Sequence, residues 1–451
     1  MQVTSDGGKM WTNTIANVPN LPKNTWAYHV EPSNFDKNTC YVVFTGYTQN
    51  DQNTYAYKTT DMGKTWKSIV TPDIKGFARN IKEDLVNPNL LFLGTELGLY
   101  ITVDGGQNWS QFTNNMPSTA VHYITIHPET NDLVMGTHGR GVIIIDDITP
   151  LRQITKENTE KSVYFFKTKP TLLRDGSIFA EGSDMSEYVG ANPDRDAKII
   201  YYLKGRHTFG KMTLEILDKD GKVLADLAPG KSKGINIVEW NYNLKAPKMA
   251  KAKTFAFGGF TTPRLSEGIY KVRMTKGKDV FETEIELKAD ENSMHNATDR
   301  KVQFETAMKL YNMSEQLAHT VDQLDAMKDG ATDRLSKNAA LKKAIEPLVA
   351  KIDKMKESLV VLKGDNYVGS AEPQLREKVA ELYAEVAGYY GSPSPAQMLK
   401  LADLEAKVTT AKTETEALKT KQLAEINAKL VAAKLEEIKL RSFEEFKAAD
   451  K

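Results

Sequence analysis

One cysteine, Cys40, occurs among 451 residues, so neither an intrachain disulfide nor a Cys-based zinc site can form. A lone thiol leaves the compartment open, because it suits a cytosolic chain and equally an exported one that does not rely on disulfides. No run of about 18 or more apolar residues occurs, and no membrane-spanning helix is expected. The first residues, MQVTSDGGKMW, carry neither a basic nor an apolar targeting stretch. An excess of charge is also missing: 60 Lys+Arg against 59 Asp+Glu leave +1. With no net field to attract polyanions, general nucleic-acid binding is excluded. Walker loop, Gly-x-Ser-x-Gly elbow, dinucleotide fingerprint and HExxH are all absent. Of the seven histidines only His122 and His127 are closely spaced, and residues five apart on a strand face opposite sides. No metal and no cofactor are expected. The length suggests about two to four domains, each large enough to bury its own core.

What is present is a repeat. Thr4-Ser-Asp6-Gly-Gly8-Lys-Met-Trp11, Thr59-Thr-Asp61-Met-Gly63-Lys-Thr65-Trp66 and Thr102-Val-Asp104-Gly-Gly106-Gln-Asn-Trp109 all read Thr-x-Asp-x-Gly-x-x-Trp. The aspartates lie 55 and 43 residues apart, at or just above the roughly 40–50-residue period of propeller blades. In such a turn Asp accepts backbone N–H bonds, Gly takes the positive-φ position and Trp covers the turn. Short β-branched or aromatic runs fill the intervals: 26–30, 40–47 and 54–59, then 78–85, 90–96 and 98–102, then 121–127, 132–137 and 141–147.

The motif resembles the Asp-box, or BNR repeat, of sialidases, sortilin-type receptors and related propellers. The resemblance implies that the turns close the hairpin between the third and fourth strands of a blade, on the outer rim. Asp6, Gly8, Trp11, Asp61, Gly63, Trp66, Asp104, Gly106 and Trp109 are then structural, with each Trp packed over its own Asp turn. Residues 1–150 would form about three blades plus the end of another, short of the roughly four to eight that close a ring. The expectation is therefore a chain that begins in mid-blade, a portion of a longer or split protein. Its N-terminal edge would be covered by remaining propeller blades or another polypeptide.

Gly136-Thr-His138-Gly-Arg140-Gly resembles a run found in late blades of sortilin-like and xyloglucanase-like propellers. On one reading His138 and Arg140 face the central channel and bind an anionic or sugar ligand. On the other, which is preferred, the glycines make a tight turn and Arg140 pairs with a neighbouring blade.

From residue 157 to 292 the box pattern gives way to alternating strands. Gly234-Ile-Asn-Ile-Val-Glu-Trp240 and Pro263-x4-Gly268-Ile-Tyr270-x-Val272 resemble a β-sandwich Ig-like domain of exported bacterial proteins, and Asn192-Pro193 before Ile199 fits the same picture. Trp240 and Tyr270 read as core. Residues 296–451 turn helical, with helices over 302–327, 338–362 and 374–387, and Gly330 connecting the first two. A final helix opens at Ser394-Pro395 and runs to Leu440, about 65 Å at 1.5 Å per residue. Its stripe Leu404, Val408, Ala411, Leu418, Ile426, Leu430, Ile438 calls for a partner, supplied by the other three helices in an α-helical bundle. Propeller repeats, Ig-like domain and helical tail in this order resemble exported sortilin-like proteins of Bacteroidetes.

Glycoside hydrolysis needs two carboxylates about 5–9.5 Å apart, and sialidases add three arginines on the substrate carboxylate. Residues 1–147 contain only Arg79 and Arg140, and nothing in the sequence pairs Glu83, Asp84, Glu96, Asp146 or Asp147. The reading is a non-catalytic binding or assembly protein of the periplasm, outer-membrane surface or exterior, with a carbohydrate or protein ligand. The alternative is a sialidase- or xyloglucanase-like glycoside hydrolase whose catalytic residues lie in blades missing from this chain.

Overall fold

The computed structural model describes residues 1–174, 195–364 and 371–449; Asn192-Pro193 falls outside them. The chain divides into two compact units, one of residues 1–169, 199–211 and 229–238, the other of residues 170–198, 212–228 and 239–451.

The first unit begins with a hairpin of β1 (Gln2–Val3) and β2 (Thr12–Asn13). A four-stranded sheet follows: β3 (Trp26–Pro32), β4 (Cys40–Gly46), β5 (Asp51–Thr59) and β6 (Lys67–Ser68). The next contains β7 (Ala78–Glu83), β8 (Leu91–Thr95), β9 (Gly98–Thr102) and β10 (Ser110–Phe112). The third is β11 (Ala120–Ile126), β12 (Leu133–His138) and β13 (Val142–Ile145). In each sheet the strands pair antiparallel in chain order.

Strand side chains alternate between two faces, and here both faces are apolar because each sheet is stacked on the next. Tyr41 and Val43 pack forward with Ile81, Leu91 and Leu93 of the second sheet. On the other face of β4, Val42 and Phe44 pack back against Val18 and Trp66. The second sheet sends Phe92 and Leu99 forward onto Val121, Ile124 and Met135 of the third. A Lys82–Glu31 ion pair of 2.7 Å ties β7 to β3. Face-to-face stacking of successive meanders fits a partial β-propeller. The fourth strands, two or three residues long, are too short to show alternation in the sequence.

Further along the chain come β14 (Val163–Phe165), β15 (Thr171–Leu173), β16 (Ala197–Leu203), β17 (Met212–Leu217), β18 (Val223–Leu227), β19 (Gly234–Trp240), β20 (Gly268–Lys276) and β21 (Asp279–Ala289). β14, β16 and β19 make a three-stranded sheet. In the second unit the order is β15-β21-β20-β17-β18, with β15 parallel to β21. Trp240 is buried and meets the ring of Tyr270 edge-on, 5.9 Å between centroids.

Helix α1 (Lys156–Glu160) belongs to the first unit. The second unit holds the helical region: α2 (Ala297–Lys337), α3 (Lys342–Leu359), α4 (Leu375–Ala387), α5 (Pro395–Ala417), α6 (Ala424–Ala432) and α7 (Phe443–Ala448). Ser394 caps α5 by accepting from the Gln397 N–H at 3.2 Å. One apolar cluster joins Leu310, Leu317 and Leu324 of α2 to Ile345 and Ile352 of α3, Val379 and Leu382 of α4, and Leu404, Val408, Ile426 and Leu430 of the last helices.

Two expectations for this region are corrected. The final helix, continuous from α5 through a π-turn at Leu418–Leu423 into α6, ends at Ala432 rather than Leu440. Lys434 adopts φ +57°, Leu435 N–H closes back on the Leu430 carbonyl at 2.9 Å, and Asn427 brackets Ile438 through both its amide groups. Gly330 is not in a connection but inside α2, where a Cβ would stand 2.8 Å from Ile438 Cγ2. The missing side chain seats the returning tail.

Candidate functional site

The three box turns have the same hydrogen bonds. Thr4, Thr59 and Thr102 donate their hydroxyls to Asp6, Asp61 and Asp104 at 2.8, 2.8 and 2.7 Å, and accept from Gly8, Gly63 and Gly106 N–H. Each Asp accepts from the backbone four residues on, at Met10, Thr65 and Asn108. These bonds favour the ionised form and hold all three carboxyls below the ordinary range, Asp61 at about 2. The first turn joins β1 to β2, and the other two join the third to the fourth strands of their sheets. The tryptophans differ from the expectation. Trp66 and Trp109 are buried, and Trp109 Nε1–H donates to the Ile69 carbonyl, 2.8 Å away, just past the preceding sheet's last strand. Trp11 is 60% exposed and bonds only within its own turn, to Gly8 O at 3.0 Å. Trp109 therefore ties its own sheet to the previous one, while Trp66 packs with Val18, Val42 and Phe44.

A different set of side chains converges at one end of the edge strands β3, β7 and β11, where β7 lies against both others. Each of the three carries a β-bulge at its second or third residue, between Ala27 and His29, Ala78 and Asn80, and Val121 and Tyr123. A bulge re-aims one side chain, and the residues in the bulges are Tyr28, Arg79 and His122. The Arg79 guanidinium lies 5.2 Å from the Tyr28 ring centre, 4.9 Å from Tyr47 and 4.6 Å from Phe77. Arg79 donates to Glu96 Oε2 at 3.1 Å, and His122 Nε2 stands 4.0 Å from the same oxygen. His122 stacks on His138 with centroids 5.4 Å apart. Trp26 meets Tyr47 edge-on at 6.4 Å and is 54% exposed. Burial, reinforced by the Arg79 charge, holds His122 below the ordinary imidazole range, so it is neutral at neutral pH. Within the row the Arg79 guanidinium and the Glu96 carboxylate cancel in charge.

Of the two residues singled out for ligand binding, His138 stands in this row and Arg140 does not. Arg140 is exposed on the β12–β13 turn, where Gly139 and Gly141 take φ +90° and +66°, and it has no ion-pair partner among the described residues. Tyr28, Arg79, Glu96 and His122 were not singled out as binding residues. Their signal was the bulge, which adds one residue to a strand and is silent in an unaligned sequence.

Two of the other carboxylates, Glu83 and Asp84, are held by structural bonds. Glu83 is buried and accepts from the Ser33 hydroxyl, the Asn34 N–H and the Tyr41 phenol. Burial and that carboxylate push the Tyr41 phenol up. Asp84 is fully buried, chelated by Arg152 at 2.9 Å and bonded to Val86 and Asn87 N–H.

No family model matches this chain. Vacuolar protein sorting/targeting protein 10 of Leptosphaeria maculans is 25% identical over 203 residues, 44% of this chain and 13% of that protein. The chain therefore spans only a small part of that relative. Among solved structures, similarity is found to YCF48 bound to D1 peptide, at TM-score 0.21 and 24% identity over 29% of this chain and 39% of that one. It is also found to the Niastella koreensis GH74 enzyme, at TM-score 0.25 and 14% identity over 57% and 38%. A third is the extracellular domain of a one component system from B. thetaiotaomicron, at TM-score 0.24 and 11% identity over 64% and 33%.

Proposed function

We propose that this chain is a non-catalytic binding component built on a sortilin-like propeller, and that the Tyr28–Arg79–His122 row with Trp26 and His138 receives a neutral carbohydrate. The observation that carries this reading is the convergence of three equivalent bulges on one partly exposed aromatic row whose charges cancel. Exposed rings stack on sugar faces, while Glu96 and His138 offer hydrogen bonds. A glycosidase reading is less well supported, since Glu83 and Asp84 are consumed by structural bonds and Glu96 by Arg79. No helix of the described residues is long and apolar enough to cross a membrane. In this reading the protein is exported, as a Bacteroidetes-type BNR protein would be. The Ig-like sandwich over 157–292 and the helical bundle over 296–451 serve as supports, and remaining blades or another polypeptide cover the N-terminal edge. The likeness to a vacuolar protein sorting/targeting protein is in keeping with binding.

The test is calorimetric titration with neutral cello- and xylo-oligosaccharides, with reducing ends assayed in the same samples. Binding weakened at least tenfold in Trp26→Ala and Tyr28→Ala, with no new reducing ends, is the expected result. Silence across the panel would sink the reading. Turnover that disappears in Glu96→Gln would promote the hydrolase.

A further inference from the structure

We infer that the chain forms a two-fold dimer in which the edge strand β19 pairs antiparallel with β19 of a second copy. Among the described residues β19 ends the β14-β16-β19 sheet. A strand in that place presents one row of backbone N–H and C=O groups to whatever lies beside it. Natural proteins blunt such edges by keeping them short or by placing proline or charge on them. Three other edges here do so. β14 and β15 are three residues long, and β18, five residues long, carries Asp226 in an ion pair with Lys245. β19 is different: it runs for seven residues, and from Gly234 to Val238 it contains neither proline nor charge.

The side chains of this strand are complementary to their own reverse. Alternation sends Asn236 and Trp240 to one face, where they are buried. On the other face Ile235 and Ile237 are exposed by 43 and 58%, flanked by exposed Lys233 and Glu239. Neither of these two charges has an ion-pair partner among the described residues. Antiparallel pairing about a two-fold axis gives opposed residues a constant sum of numbers, and opposed side chains must share a face, so the axis falls on a residue. With the axis on Asn236, Ile235 of each copy faces Ile237 of the other, and Lys233 faces Glu239. Moving the axis to Ile235 sets Lys233 against Ile237, and moving it to Ile237 sets Ile235 against Glu239. One register alone therefore matches apolar with apolar and positive with negative on this face, and cross-strand pairs of both kinds stabilise a sheet. That self-complementarity of charge fixes the occupant of the edge as a second copy. None of the residues proposed to receive carbohydrate takes part, so the two readings stand separately.

Sedimentation equilibrium of the full chain tests the inference. A monomer–dimer equilibrium is expected, weakened about tenfold by Lys233→Glu or by Glu239→Lys, since each sets like charges opposite one another twice. The two substitutions in one chain should restore it. Ile237→Lys, at a position already exposed, should weaken the dimer similarly and repeats the test if a charge variant perturbs folding. Zero-length coupling of amines to carboxylates in a mixture of isotopically light and heavy chains reads the register. The expected product links Lys233 of one isotope to Glu239 of the other, because six residues of strand, about 20 Å, keep the two apart within one chain. A chain that stays monomeric up to its solubility limit overturns the proposal, as does a dimer indifferent to the single variants or not recovered by the double one. Mixed-isotope links that join other residues and never Lys233 to Glu239 also overturn it.

Discussion

Met62 sits at φ +60° where the equivalent residues of the other box turns are Gly7 at +76° and Gly105 at +72°. A left-handed conformation costs an L-residue roughly 1–2 kcal/mol, part of which glycine returns as unfolded-state entropy. Met62→Gly should therefore stabilise the first unit by about 0.5–1 kcal/mol, read as a raised urea midpoint at constant slope. Its neighbour Asp61 sets a pH dependence. Bonds from the Thr65 hydroxyl and N–H, and from Thr59, lower its carboxyl from 3.8 to about 2. The folded pKa is depressed, so the stabilisation is complete above the ordinary range and drains away as pH falls toward 2. Asp61→Asn should flatten the acid limb of stability between about pH 4 and 2, whereas an unchanged limb would mean that the turn does not depend on the ionised carboxylate. Burial, with Glu31 nearby, pushes the Cys40 thiol up to about 11. Its alkylation by iodoacetamide at neutral pH should be far slower than that of an unfolded control.

Sheets and helices differ in how much of them could be read beforehand. The box turns were legible because their bonds run between residues at most four apart, so composition and spacing carry the whole network. Apolar runs placed the long strands for the same local reason. The bulges at Tyr28, Arg79 and His122 were not legible, since only a partner strand reveals the extra residue, and so most of the row stayed hidden, while His138 drew notice through its glycines. The last helix was overextended because its heptad stripe continues through Ile438, although Ile438 reaches the same core from an extended segment after the reversal at Lys434. That contact is measurable. Ile438 is buried against Gly330, and Ile438→Ala should cost about 2–5 kcal/mol of helical stability. A loss below about 0.5 kcal/mol would fall within the range of an ordinary surface substitution, and the tail would not then be seated on α2.

The helical cluster lies in the second unit, and three sheet clusters lie in the first. The helical cluster is built from Ala250, residues 307–360 and residues 375–438. The three sheet clusters lie between Val18 and Ile148, with Met1 and Leu151 packed at their margins. The probes divide in the same way. Trp11, Trp26, Trp66 and Trp109 belong to the first unit and Trp240 to the second, so tryptophan fluorescence reports chiefly on the stacked sheets and far-UV ellipticity at 222 nm chiefly on the helices. Leu324 on α2 and Leu93 on β8 are both fully buried. Removing either side chain to Cβ should cost about 2–5 kcal/mol, transfer and cavity together. Because the lost contacts lie within one cluster, Leu324→Ala should lower the ellipticity transition in urea and leave the fluorescence transition in place. Leu93→Ala should do the reverse. Should either substitution move both transitions by the same amount, the stacked sheets and the helices unfold as one cooperative body.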